Sequence, residues 1–151
     1  MHALARRYLK TAIVFLVIGI ALGVWLLWRR ELGGAAISQR ELSAHTHALL
    51  VGFVMMMIAG VALWMFPRPA TDDARYKPQL AEFAWWLIAP GTALRITAEL
   101  VAGFDPARAT RIAIVIGGIA QAVGLVLVFW TIFPRIRAAG SAQREAKGER
   151  F

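Results

Sequence analysis

Two of the three histidines of the chain stand two residues apart, in the stretch Glu41-Leu-Ser-Ala-His45-Thr-His47-Ala-Leu-Leu-Val-Gly52. Neutral imidazole is the commonest metal ligand among side chains. An ionisable group set in a membrane-depth apolar run marks a functional site by default. The spacing decides what such ligands could do. An α-helix turns about 100° per residue, so His45 and His47 project about 200° apart, on nearly opposite faces. They cannot readily chelate one ion together, for which i, i+4 spacing is the favoured arrangement. The pattern instead lets one helix serve two sites, one on each side. The other reading is that both imidazoles hydrogen-bond to neighbouring helices as interhelical polar residues.

A second pair, Arg95 and Glu99, lies one helical turn apart on one face of a different apolar run. Such an i, i+4 pair can be self-neutralising and simply ease insertion. At the depth of the histidines the functional reading gains: Arg95 facing a buried anion, with Glu99 orienting it or a histidine. Met55, Met56 and Met57 point in three directions, so at most one reaches a given site, and packing accounts better for at least two of them. Gln121 reads as an interhelical hydrogen-bonding residue. With no cysteine in the chain, disulfides, thiolate metal sites, iron–sulfur clusters and thioether-linked haem are excluded.

The elements that must hold these residues are read from the apolar runs. A hydrocarbon core about 30 Å thick needs roughly 20 helical residues to cross it, and backbone groups in lipid must be paired within the segment. The runs are Thr11 to Trp28, Leu42 to Phe66, about Leu80 to Phe104, and Ile112 to Phe133. The expectation is an all-α, integral membrane four-helix protein. Its transmembrane domain covers 1–137, with spans at about 11–28, 42–66, 80–104 and 112–133, and a charged tail follows at 138–151. Pro67-Arg68-Pro69 closes the second run and Pro134-Arg135 the fourth. With four spans, Arg6, Arg7, Lys10, Arg68, Arg75, Lys77, Arg135, Arg137, Arg144, Lys147 and Arg150 share one side. Only Arg29, Arg30, Arg40, Arg108 and Arg111 lie on the other. The excess of basic residues predicts both termini in the cytoplasm of a cell inner membrane.

Composition agrees. The chain of 151 residues is 59% hydrophobic with a mean hydropathy of +0.60, more apolar than a soluble domain that must cover its surface. Its formal charge of +8 sits at the ends of the apolar runs, where headgroups and topology explain it, so nucleic acid is not an expected partner. The first run is longer than a signal-peptide core, and Arg29-Arg30 before the small residues Gly33 to Ala36 is atypical of a cleavage site. Short connections predict antiparallel helical hairpins. Gly19-x-x-x-Gly23, Gly117, Gly118 and Gly124 offer close approach between helices.

At His45-Thr46-His47, continuing through Gly52-Phe53 and Gly60 to Trp64-Met-Phe-Pro67-Arg68, the second run resembles the haem-copper oxidase superfamily, which spans C-type oxidases, nitric oxide reductases and NnrS-like proteins. It is similar in part to two helices of the large subunit. One opens with His-Thr and ends in an aromatic-x-x-Pro stretch, its histidine ligating the low-spin haem. The other carries His-x-His, one histidine binding each of two haems on opposite sides. The motif covers about one sixth of the chain; the remainder is similar in hydropathy and topology. The family's subunit has about twelve spans in three four-helix arcs, and this chain resembles one arc. The other histidines of the full site have no counterpart here, since His2 precedes the first span.

The resemblance implies a haem b protein for electron transfer or for binding a small gas, oxygen or nitric oxide, and an oxidoreductase if it is an enzyme. Copper is a further metal it brings into question. His45 and His47 would be the iron ligands, Arg95 or Arg40 would pair with propionates, Glu99 would orient a partner, and Gly52 would leave room for the porphyrin edge. A cyclic homo-oligomer, a trimer favoured over a dimer, would let His45 of one chain and His47 of the next share one iron. Lipid and a respiratory electron donor are the other partners expected. The competing functions are a copper- or zinc-binding membrane protein, and a non-catalytic assembly subunit of a respiratory complex in which the histidines only pack.

Overall fold

A computed structural model describes residues 3–66, 77–104, 107–136 and 148. His2, the Pro67-Arg68-Pro69 stop, Arg75 and almost all of the expected tail lie outside the described residues. Four long helices overlap the four apolar runs: α1 (Ala3–Glu31), α2 (Gln39–Met65), α3 (Pro78–Phe104) and α4 (Arg108–Ile132), the last ending in a 3₁₀ turn at Phe133–Arg135. The helices outrun the apolar segments because their basic ends, such as Arg29 and Arg30 on α1, stay helical where cations suit the C-terminal dipole. No strand occurs among the described residues.

Three helices, α1, α2 and α4 with its terminal turn, are long and apolar enough to cross a membrane. The fourth, α3, has 27 residues, enough for about 40 Å of helix at 1.5 Å per residue. It is not among those three, and it carries Glu82, Arg95 and Glu99. Two of those charges are spent inside the bundle.

The helices pack in chain order, α1 on α2, α2 on α3 and α3 on α4. The inner position of α2 shows in its burial: 44% of its apolar window is covered, against 22% for α1 and for α4. Small residues make the core. Ala12, Ala44, Ala48, Ala59 and Ala84 are fully buried beside Tyr8, Met56, Ile88 and Val128, as expected where helices associate by close packing rather than by hydrophobic exclusion. The α3–α4 contact is the most extensive, and glycines bring the two backbones close. A Cβ on Gly117 would stand 2.8 Å from the Gly91 carbonyl, and one on Gly124 would stand 2.6 Å from Ile88. The outer faces of α1 and α4 expose Val14, Val17, Val24, Val115, Ile119 and Val126, as membrane-facing surfaces do.

Polar ties fix the two ends. The chain leaves α1 through Gly34, at φ +60°, and α2 begins at a capping box. Ser38 accepts from the Glu41 amide at 3.2 Å, and Glu41 accepts from the Ser38 amide at 2.8 Å. The second oxygen of Glu41 takes Arg29 of α1. One residue therefore caps α2 and ties it to its neighbour, a cap being worth about 1 kcal/mol. At the opposite end Tyr8 donates to the Ala81 carbonyl at 2.8 Å, and Arg135 donates to the carbonyls of Leu63 and Phe66 at 3.0 and 2.6 Å.

Candidate metal-ligand site on the second helix

His45 and His47 lie in the regular α-helical opening of α2, Gln39–His47, where the rotation of about 100° per residue applies. They face different neighbours. His45 turns to α1: its Nδ1 is 2.9 Å from the Gly19 carbonyl, and a Cβ on Gly23 would meet the ring at 2.8 Å. The two glycines of the Gly19-x-x-x-Gly23 motif thus receive the imidazole. His47 belongs to the α3 side. Its Nδ1 is 2.8 Å from the Ser43 carbonyl and 3.2 Å from Ser43 Oγ, and that hydroxyl donates to Glu99 Oε1 at 2.8 Å.

The same tautomer follows for both rings. A carbonyl oxygen only accepts, so each Nδ1 carries a proton, and in the neutral ring that leaves the lone pair on Nε2. Neither Nε2 hydrogen-bonds to a described residue. An imidazole anchored through Nδ1–H to a backbone carbonyl, with Nε2 bare, is the state in which histidine ligates metals.

Behind His47 runs a chain of polar side chains across the bundle. Glu99 Oε1 also accepts from Arg95 Nε at 3.0 Å; Arg95 donates to Gln121 Oε1 at 3.3 Å; Gln121 donates to Thr92 at 3.0 Å. Glu99 is 3% exposed, and its Oε2 is buried without a partner among the described residues. The guanidinium of Arg95 lies over Gly118, where a Cβ would approach within 3.3 Å. Arg95, Glu99 and Gln121 are therefore joined to His47 through Ser43, a residue sequence reasoning passed over. A hydroxyl four residues before a histidine puts the two on one helical face, and that spacing was the available signal.

The remaining expected site residues are placed differently. Arg40 donates to the Ala102 carbonyl near the C-terminal end of α3, a helix-end position that favours a cation. Gly52 faces α1 like His45, but Phe15 fills the space it opens, a Cβ there meeting the Phe15 ring at 2.5 Å. It lies in a π-helical segment, Ala48–Met55, that periodicity did not foretell. Met56 is fully buried in the core.

The chain matches the family model described as Cytochrome C and Quinol oxidase polypeptide I over residues 3–145. It belongs to that family. The haem-copper oxidase polypeptide I match runs through all four helices, well beyond the motif on α2, and with the apolar helices it makes the chain a multi-pass membrane protein. No curated protein and no solved structure matches it.

The donor set of this polypeptide I family member can be read among the described residues. Among the described residues no group of three or more histidines, cysteines or carboxylates is placed to hold a metal ion. What α2 offers is two single imidazole donors on opposite sides. That arrangement suits an iron already held in four positions by a porphyrin. It does not suit a bare cation that needs three or four protein ligands.

Proposed function

We propose that the protein binds b-type haem in the membrane through Nε2 of His45 and of His47, for electron transfer or for binding a small gas. The observation that carries the reading is the paired state of the two rings: both Nδ1 atoms lie at backbone carbonyls, at 2.9 and 2.8 Å, and neither Nε2 bonds to a described residue. Family membership supports it, since the family binds haem and copper. When bound, the haem supplies a one-electron couple or an open coordination position for a gas. The residues of the chain hold the two imidazoles in register, and the Glu99–Arg95–Gln121 chain keeps His47 from turning. Thioether attachment is ruled out because the chain has no cysteine. The purified protein from haem-replete cells is expected to show a Soret band that shifts on dithionite reduction. A colourless preparation would sink the reading in favour of a packing or assembly role.

In the same reading α3 is the fourth span, with Arg95 and Glu99 neutralising each other and Glu82 pairing with Arg7 of α1, and both termini lie on the cytoplasmic side of the inner membrane, where most basic residues flank the helices. Two imidazoles that point apart cannot ligate one iron axially from a single helix. Cyclic symmetry removes the difficulty by pairing His45 of one copy with His47 of the next, and a trimer fits the three-arc plan of the family better than a dimer. Mass measurement of the haem-loaded protein in mild detergent is expected to give a homo-oligomer. A monomer with a bis-histidine spectrum would overturn the shared-iron arrangement.

A further inference from the structure

We propose that the groove between α1 and the start of α2 is the porphyrin slot served by His45, and that Arg30 is the cation that pairs there with a haem propionate. The proposal rests on the haem reading above and goes beyond it by assigning the propionate partner to a residue not considered from the sequence. The groove has a volume of about 280 Å³ and is lined by Gly23, Leu26, Leu27, Ile37, Leu42, His45 and Arg30. Its walls are apolar except for the imidazole at one end and the guanidinium, which is what a flat hydrocarbon ring with anionic edges requires.

The helical register puts these groups in line. Gly19, Gly23, Leu26 or Leu27, and Arg30 follow one another at three- and four-residue steps, so they form one stripe of α1. Gly23, which makes room for the His45 ring, and Arg30 are seven residues apart, two turns on the same face and about 10 Å along the axis. That rise is comparable with the distance from a porphyrin's centre to its propionate carboxylates.

The other two cations expected near the site are committed elsewhere. Arg40 is held by the Ala102 carbonyl, and Arg95 by Glu99 and Gln121 on the far side of α2. Arg29 is paired with Glu41 and stacked over Trp25. Among the described residues Arg30 is engaged only through Nε, by the neighbouring Glu31 at 2.6 Å, and its side chain is 69% exposed. Both terminal nitrogens are therefore available for a carboxylate, the geometry in which guanidinium pairs best.

The test compares two porphyrins on the full chain in detergent, prepared from haem-limited cells and titrated with hemin or with hemin dimethyl ester, whose propionates carry no charge. The wild type is expected to prefer hemin. Arg30→Gln is expected to weaken hemin binding about tenfold, the scale of one charge-assisted hydrogen bond, and to leave the ester affinity where it was. Arg40→Gln should keep the wild-type hemin-to-ester ratio, a readout that general loosening of the fold does not move. A ratio lost in that variant and kept in Arg30→Gln overturns the assignment. So does equal binding of the two porphyrins by the wild type together with loss of co-purified phosphatidylglycerol in Arg30→Gln, which would make the groove a lipid headgroup site. A wild type that binds neither porphyrin removes the haem reading itself, and the assignment falls with it.

Discussion

His45→Ala and His47→Ala are each expected to abolish bis-histidine haem, and the two should fail differently. His45 sits against Gly19 and Gly23 of α1 and takes no part in the cross-bundle polar chain. Its loss should leave the folded protein intact and remove the pigment, or leave a five-coordinate spectrum if the opposite ligand still holds the iron. His47 is tied through Ser43 to Glu99, so its removal also takes one partner from a buried network. His47→Ala should therefore lose haem and also lower the thermal midpoint, by an amount His45→Ala does not. Absorption spectra of the oxidised and reduced variants, taken with their melting curves, check both parts. Wild-type spectra in both variants would show that the iron is held by other groups.

The second large effect concerns the charge pair behind His47. Arg95→Leu is expected to destabilise the protein by about 3–5 kcal/mol, because it leaves a buried carboxylate without its counter-ion. For a chain of this size that is a fall of about 10 °C or more in thermal midpoint. Glu99 is 3% exposed and already carries one oxygen with no partner, so it has little access to water as a substitute. The double variant Arg95→Leu/Glu99→Leu should recover most of the loss, since a buried ion pair replaced as a unit by apolar side chains is often close to neutral. If the single and double variants melt together, the pair is not coupled in the way the 3.0 Å contact implies. The comparison also separates structure from function. A double variant that folds well but binds haem with an altered reduction potential would place the network among the groups that tune His47.

The helices were legible because their signal is long and redundant: each apolar run carries many residues that agree. The opposition of His45 and His47 was legible for a different reason. It needs only two residues of regular helix, and both lie before the irregular segment begins. What escaped was tertiary. Nothing in the local sequence says that Phe15 enters the space above Gly52, or that the Ala102 carbonyl captures Arg40. The reading of Arg40 as a propionate partner rested on its charge and rough depth, and Arg30 had the same credentials. Only the course of α1 past α2 distinguishes them. The Ser38-x-x-Glu41 box is a local signature of a helix start, and α2 begins at it.

The π-helical segment Ala48–Met55 makes α2 a shaft with two independently indexed halves. Hydrogen bonds that skip to the fifth residue wind fewer degrees per residue than those that skip to the fourth. The half that bears the imidazoles and the half that buries Met56, Ala59 and Ala62 are therefore out of phase with a single uniform helix. Lost or gained residues in this stretch would act as a rotation: the lower half, locked in the core, would stay still while His45 and His47 swung together around the axis. Their mutual opposition would survive, and their aim at α1 and α3 would not.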